Sequence, residues 1–222
     1  MKSRIIWICV LVICMLAATD EAQSGTITGS VNVPKSKKAR PPARYHLGHY
    51  RSARRTEQQR STGPKDVVVH LSRRGIVKKR SKGAVTVTML QKNESFIPRV
   101  LPVLAGTTVE FPDEDDFYHN VFSLMSGDRF DLGRYAKGGS AKAVFDKPGV
   151  VVVRCEIHSS MKAYIVVLET PYFTVPDETG SFSLEDVPAG TYDLKAWHPS
   201  FGEEEQTVKV TEKGAVTVDL SF

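Results

Sequence analysis

Three potential metal ligands, Cys155, His158 and Met161, occur within one short stretch of the chain. The β-branched run at residues 150–153 precedes them and predicts a buried strand, so the three lie where that strand ends and in the following turn. A second histidine, His119, follows another predicted strand. One thiolate, one thioether and two imidazoles suit copper, because copper(I) prefers sulfur and copper(II) prefers imidazole. The four side chains therefore predict one mononuclear copper ion.

Each of these residues also has an ordinary structural explanation. A lone methionine usually fills a core, a lone cysteine usually packs as a small apolar side chain, and a lone histidine often ends a strand without function. Zinc would accept one cysteine and two histidines but would gain little from a thioether. A binuclear copper centre would need a second bridging cysteine, and this loop has one. The combination of the four in this order favours copper.

Residues 84–169 resemble the cupredoxin family at both ends of its pattern. The opening reads F-I-P-R-V-L-P-V-L-A-G-T-T-V-E-F-P-D-E-D, shortly before His119-Asn120, and the closing hairpin reads F-D-K-P-G-V-V-V-V-R-C-E-I-H-S-S-M-K-A-Y-I-V-V-L. The C-x-x-H-x-x-M spacing is that of the amicyanin type. The resemblance implies a Greek-key β-sandwich with a type I copper site. It also implies that the Asn120 side chain bonds across to the cysteine loop and that His158 is the surface exit for electrons.

A second resemblance involves the end of the chain. The stretch G-S-F-S-L-E-D-V-P-A-G-T-Y-D-L-K-A-W-H-P at 180–199 resembles the carboxypeptidase-regulatory-like, or transthyretin-like, β-sandwich. The first strands typical of such a domain occur here at 25–33 and 66–71, before the cupredoxin-like region. We therefore expect an all-β chain in which a cupredoxin sandwich is inserted into a smaller transthyretin-like sandwich completed by residues 170–222. Two tandem domains are the alternative. Similar two-part exported proteins are sometimes labelled methylamine-utilisation-like.

Residues 1–24 have the layout of a secretory signal peptide. Lys2 and Arg4 precede an apolar run at residues 5–18, which is too short for a comfortable membrane span. We expect a periplasmic or secreted protein, tethered to the membrane if the signal is not cleaved.

Cysteine usage follows from export. Cys9 and Cys14 would leave with the signal, so Cys155 would remain alone and no internal disulfide could form. A bound copper ion would occupy this otherwise vulnerable thiol.

The formal net charge of +5 is unevenly distributed. Lysine and arginine are concentrated in a predicted flexible loop at 34–65 and a basic connector at 72–83, whereas the rest of the mature chain is acidic. The basic loop could steer the protein to an acidic partner or attach it to an anionic envelope surface. Nucleic acid is not an expected partner of an exported protein. His46 and His49 within the loop are read as parts of a polar spacer.

The preferred function is single-electron transfer by a type I copper protein without catalysis of its own. Its partners would be redox proteins such as a dehydrogenase, a c-type cytochrome or an oxidase. One alternative is copper storage or delivery. Another is an envelope- or polyanion-binding sandwich with a structural metal site. Glu156 adds a carboxylate beside the proposed ion, and Arg154 is a candidate partner for it.

Overall fold

The computed structural model describes residues 24–34, 63–72, 85–124 and 129–222. In these ranges the chain forms β-strands and one 3-10 turn, Pro64–Asp66, so the predicted all-β class is confirmed. No helix among the described residues is long and apolar enough to cross a membrane. The strands are β1 (Ser24–Asn32), β2 (Val68–Ser72), β3 (Thr86–Thr88), β4 (Leu90–Gln91), β5 (Phe96–Ile97), β6 (Val100–Leu104), β7 (Thr107–Pro112), β8 (His119–Ser123), β9 (Phe130–Tyr135), β10 (Ser140–Phe145), β11 (Gly149–Arg154), β12 (Lys162–Leu168), β13 (Phe173–Thr174), β14 (Ser181–Pro188), β15 (Gly190–His198), β16 (Gly202–Val210) and β17 (Ala215–Ser221).

Parts of the predicted domain plan fall outside the described residues. These parts are residues 1–23 of the signal segment, residues 35–62 of the basic loop, and residues 73–84, which make up nearly all of the basic connector. Their assignments stay predictions.

One sandwich, here called the flanking sandwich, is built from strands far apart in the sequence. Its sheet 1 has the order β14-β1-β17, and its sheet 2 has the order β13-β2-β15-β16. Strand β1 is antiparallel to β14 and parallel to β17, and β2 is antiparallel to β15. The apolar faces of the two sheets enclose a core that includes Ile27, Leu71, Leu184 and Leu194. The strands at both ends of the described chain therefore complete one sandwich.

The second sandwich, here called the ligand sandwich, lies between β2 and β13 in the sequence. Its sheet 3 has the order β6-β12-β11-β8-β9, and its sheet 4 has the order β10-β7-β3. The core between these sheets includes Phe111, Phe145, Val153 and Ile165. The short hairpin β4-β5 adds Phe96 to the same core.

A third apolar cluster, here called the interface core, joins the two sandwiches. Sheet 2 contributes Val68 and Trp197, and sheet 3 contributes Tyr164, Val166 and Leu168. The four sheets therefore stack in the order 1, 2, 3, 4, with an apolar core in each of the three gaps.

The sequence of strand β12, K-A-Y-I-V-V-L, is nearly all apolar because the strand is buried on both faces. Ala163, Ile165 and Val167 point into the ligand sandwich core, whereas the residues between them point into the interface core. A strand that is buried on both faces reads as a continuous apolar run rather than as an alternating pattern. This strand begins directly after Met161, so it fixes one end of the predicted ligand loop.

A buried ion pair also joins the two sandwiches. Arg99, just before β6, donates to the Asp66 carboxylate in the 3-10 turn that leads into β2, where Asp66 is 3% exposed. The Arg99 guanidinium lies 5.7 Å from the centre of the Tyr164 ring. Because a buried carboxylate needs a partner, loss of Arg99 would leave an uncompensated charge at the junction.

We predict that Leu168→Ala lowers the free energy of unfolding of the whole chain by about 2 kcal/mol or more, since it opens a cavity in the interface core. Leu168 is 6% exposed, whereas Leu124 is 67% exposed and provides the matched control. Leu124→Ala should stay within about 0.5 kcal/mol of the parent in chemical denaturation. Equal small effects of the two substitutions would show that the interface core contributes little.

A second prediction concerns the acid stability of the flanking sandwich. Burial, together with the positive charge of Arg99, lowers the pKa of His198 to about 4. Below pH 6.5, the ordinary pKa of histidine, His198 is protonated in the unfolded chain but stays neutral in the folded chain. The free energy of unfolding therefore falls as the pH drops from about 6.5 to 4.

This acid-dependent loss should amount to about 3 kcal/mol at most. It should be smaller in His198→Asn, which keeps an oxygen where His198 Nδ1 accepts the Ser200 amide. Urea denaturation at several pH values measures it, and an identical pH dependence in the variant would contradict the assignment.

Candidate metal centre

The predicted ligands come from two antiparallel strands of sheet 3. His119 is the first residue of β8, and Cys155 follows the last residue of β11, which pairs with β8 at Arg154 and Phe122. The loop from Cys155 to Met161 closes on itself. The Cys155 amide donates to the Met161 carbonyl at 3.3 Å, and the Met161 amide donates to the His158 carbonyl at 2.9 Å. Neighbouring strand ends therefore deliver the ligands to one place.

Three donor atoms converge. His119 Nδ1 lies 3.8 Å from Cys155 Sγ and 3.0 Å from His158 Nδ1. His119 is fully buried and Cys155 is 4% exposed, whereas His158 is partly exposed. Imidazole and thiolate are both metal ligands, so these residues form a candidate metal centre.

The spacing suits a small first-row ion. Bonds of about 2.0–2.1 Å to nitrogen and about 2.3 Å to sulfur, in a trigonal arrangement, separate sulfur from nitrogen by about 3.8 Å. The observed Cys155–His119 separation equals this value. The two ring nitrogens are 3.0 Å apart, closer than the roughly 3.5 Å that the same bond lengths give in a regular triangle.

Met161 lies in the interior beside these residues. It is fully buried, and it packs in the same core as Cys155. Its backbone closes the loop, so its position is tied to those of Cys155 and His158. The role of Met161 as the fourth metal ligand stays a prediction.

A hydrogen bond from the cysteine loop to Asn120 holds the two strand ends together. The Glu156 amide donates to Asn120 Oδ1 at 2.6 Å, as the cupredoxin resemblance implies. The His158 amide points at Cys155 Sγ from 3.5 Å. The first contact ties the cysteine loop to β8, and the second places an amide donor at the sulfur of Cys155.

His119 is oriented by a carboxylate that the sequence did not single out. Its Nε2 lies 2.9 Å from Asp115 Oδ2. An ionised carboxylate can only accept a hydrogen bond, so His119 Nε2 must carry the proton. The other ring nitrogen, Nδ1, then presents its lone pair towards Cys155 Sγ and His158 Nδ1. A carboxylate bonded to the outer nitrogen of a ligating histidine fixes its tautomer and its ring orientation.

Asp115 is itself held by the turn of the β4-β5 hairpin. The Asn93 amide donates to Oδ1 at 2.7 Å and the Glu94 amide donates to Oδ2 at 3.0 Å. Both turn residues have positive φ, 53° and 52°, as in a two-residue type I′ turn. This conformation is unusual for glutamate, and it aims two consecutive amides at one carboxylate.

These contacts set the charge state of Asp115. Burial alone would raise its pKa, but hydrogen bonds from the Glu94 and Asn93 amides and from His119 lower it below the usual value. Asp115 is therefore a carboxylate at neutral pH, as its contact with His119 Nε2 requires.

Asp113, Asp115 and His119 also form a group close enough to hold a metal ion. However, Asp115 already accepts three hydrogen bonds, and Asp113 Oδ1 accepts the Asp115 amide at 2.9 Å. Burial raises the pKa of Asp113, which disfavours its charged form. We therefore assign this group as the outer layer that supports His119 rather than as a second metal site.

An apolar surface surrounds the exposed edge of His158. The Phe117 ring lies 5.4 Å from the His158 ring and 5.1 Å from the His119 ring, with both contacts edge-on. Phe117 and Ile157 are each 42% exposed, and Tyr118 is 63% exposed. Lys162 lies away from this surface, with its ammonium 5.0 Å from the centre of the Tyr164 ring.

The partner of Glu156 differs from the suggested one. Its carboxylate lies 3.2 Å from Arg134 on β9, and both side chains are 64% exposed. The suggested pairing with Arg154 joined residues near in sequence, whereas β9 reaches the loop through its pairing with β8. Solvent screens such an exposed pair, so its effect on a bound metal should be small.

Residues 152–222 match the family model of the carboxypeptidase regulatory-like domain. This match begins within β11 and ends with β17, so its first part lies in the ligand sandwich. No curated protein matches the chain.

The chain is similar to several solved structures over about 40% of its length. They include a Cu-containing nitrite reductase from Thermus scotoductus SA-01, at 33% identity over 39% of this chain and 23% of that chain, with a TM-score of 0.37. Another is a purple cupredoxin from Nitrosopumilus maritimus, at 21% identity over 38% of this chain and 99% of that chain, with a TM-score of 0.34. A third is amicyanin from Paracoccus versutus, at 18% identity over 45% of this chain and 97% of that chain, with a TM-score of 0.36.

The chain is thus similar to the carboxypeptidase regulatory-like domain over residues 152–222, and the two-sandwich, all-β architecture expected from the sequence is observed. The matched region spans about a quarter of the nitrite reductase chain.

We predict that Asp115→Asn weakens copper binding about 10- to 100-fold, because an amide cannot satisfy the two backbone donors and hold His119 Nε2 at once. Competition with a chelator of known affinity measures the change. The matched control is Asp116→Asn, since Asp116 is 82% exposed and pairs with Lys137 on the surface. Equal affinities of the two variants would show that Asp115 does not position His119.

Proposed function

We propose that this protein is an exported type I copper protein that transfers single electrons between redox partners and has no catalytic activity of its own. The observation that carries this proposal is the convergence of one thiol and two imidazoles, with a buried methionine in the same closed loop. When bound there, copper would supply a one-electron couple, since thiolate favours its reduced form and imidazole its oxidised form.

The residues around the site support reversible electron transfer because they hold the donors in fixed positions. His119 is oriented by Asp115, and the cysteine loop is tied to Asn120. Each ligand belongs to a strand end or to a loop closed by backbone hydrogen bonds. Little movement of protein groups would then accompany a change in oxidation state.

The surface near His158 supports exchange with a partner protein. His158 is partly exposed, and Phe117 and Ile157 form an uncharged rim beside it. A redox protein such as a c-type cytochrome, a dehydrogenase or an oxidase could approach there closely without displacing strongly hydrated charges. Export to the periplasm or the cell exterior, and the role of the basic loop in attracting an acidic partner, belong to the same proposal.

A copper titration of the purified full-length protein tests the function. We expect one ion per chain, intense blue colour from thiolate-to-copper charge transfer, and reversible reduction and oxidation without loss of the ion. Cys155→Ser should abolish the colour. A pale complex that readily gives copper to a chelator would instead identify a storage or delivery protein.

A further prediction concerns Met161 as the weak ligand. Met161→Gln should lower the reduction potential by about 60 mV or more, because a harder oxygen donor favours copper(II), and about 59 mV is a tenfold shift for one electron. Met89 is equally buried in the same core, so Met89→Leu is the matched control and should leave the potential unchanged. An unaltered potential in Met161→Gln would show that Met161 only packs. Direct electrochemistry of both variants measures the difference.

A further inference from the structure

A cleft opens between the two sandwiches beside the interface core. Its volume is about 300 Å³, within the range of small-molecule sites in proteins. Residues of β2, β15 and β16 line it on the flanking side, and residues of β11 and β12 line it on the ligand side. Clefts between domains are common places for ligands to bind.

One wall of the cleft is apolar. Val150, Val166 and Leu168 line it from sheet 3, and Trp197 lines it from sheet 2. Val150 and Val166 are directly opposite each other on β11 and β12. The same four residues belong to or pack against the interface core, so the cleft continues an apolar surface to the solvent. A ligand must therefore present an apolar body to this wall.

On the sheet 2 side, polar residues lie beside Trp197 and belong to two neighbouring rows of the sheet. In one row, His70, Lys195 and Glu205 lie side by side on β2, β15 and β16. In the next row, Trp197 lies opposite Glu203. His70, Trp197 and Glu203 line the cleft.

Among the described residues of these two rows, two carboxylates accompany one ammonium group. The Lys195 ammonium lies 2.8 Å from a Glu203 oxygen and 3.0 Å from a Glu205 oxygen, so one cation is shared by two carboxylates. Burial lowers the pKa of His70, the charge of Lys195 works in the same direction, and Glu203 opposes them. His70 is then a neutral imidazole at pH 7 and adds no positive charge.

We propose that this cleft binds a small organic cation, with its apolar body against Val166, Leu168 and Trp197 and its positively charged head beside Glu203 and His70. A carboxylate accepts hydrogen bonds from an ammonium head, and the Trp197 ring adds attraction to a cation. A ligand with an anionic head would be repelled by the Glu203 carboxylate. A sugar-like polyol would leave hydroxyl groups against the valine and leucine wall without partners.

The cleft and the candidate metal centre lie at opposite ends of β11 and β12. Gly149 and Leu168 lie at the cleft end of these strands, and the cysteine loop joins their other ends. The proposal does not depend on electron transfer, because it concerns binding alone.

Trp197 provides a built-in reporter of occupancy. The chain has two tryptophans, Trp7 and Trp197, so the full-length Trp7→Phe protein fluoresces from the cleft alone. The probes are benzylammonium, benzyl alcohol and benzoate, which share an aromatic ring and differ in the charge of the head. Emission is titrated with each probe in the metal-free protein and in the copper(I)-loaded protein.

We expect saturable binding of benzylammonium in both forms, with benzyl alcohol at least about tenfold weaker and benzoate weaker still. Glu203→Gln should weaken benzylammonium about tenfold and leave benzyl alcohol unchanged. Glu185→Gln is the matched control, since Glu185 is an exposed glutamate on sheet 1 of the same sandwich, and it should bind like the parent.

The proposal is overturned if no probe saturates, if benzoate binds as tightly as benzylammonium, or if Glu203→Gln binds benzylammonium like the parent. The order of the three probes on the parent protein decides the matter even if the Glu203 variant does not fold. Agreement between the metal-free and copper(I)-loaded proteins keeps the result independent of the proposed electron transfer.

Discussion

The burial of strand β12 on both of its faces is the constraint on which the rest of the molecule depends. Ile165 packs towards sheet 4, and its neighbours Tyr164 and Val166 pack towards sheet 2. At about 25 cal/mol per Å² of buried apolar surface, a side chain of this size contributes on the order of 2 kcal/mol, so a run of them fixes the strand firmly. The cysteine loop begins and ends on strands that this burial immobilises.

The candidate metal centre gains its order from three independent supports. Backbone hydrogen bonds close the cysteine loop, Asn120 ties that loop to β8, and Asp115 sets the tautomer of His119. The third support extends further, because two amides of the β4-β5 turn hold the carboxylate. Backbone geometry at Asn93 and Glu94 is thereby linked to the direction in which His119 presents its lone pair.

Much of this arrangement could be predicted from the sequence, since it depends on local spacing. The C-x-x-H-x-x-M loop after a β-branched run predicted a strand end with clustered donors, and the structure brings His119, Cys155 and His158 together. The all-β class followed from short apolar runs broken by glycine, proline and aspartate. The pairing of β1 and β2 with strands near the other end of the chain also appears in the structure.

Long-range contacts were the part that the sequence did not reveal. Asp115 lies four residues before His119 in an acidic run, and that spacing was the only available signal. Its role becomes visible only when a distant hairpin supplies two amides. The pairing of Glu156 with Arg134 likewise depends on how β9 lies beside β8. The continuous apolar run of β12 indicated burial on both faces, but it could not show that the second face is covered by sheet 2 of the flanking sandwich.

The apolar outer face of sheet 3 limits how the two sandwiches can be separated during evolution. A recombination event that moved residues 85–168 into another gene would carry Tyr164, Val166 and Leu168 into water without sheet 2 to cover them. Exposed patches of this kind favour aggregation. A lineage that kept the donor cluster but lost its companion sheet would have to replace this stripe with polar residues, so the two halves are expected to descend together.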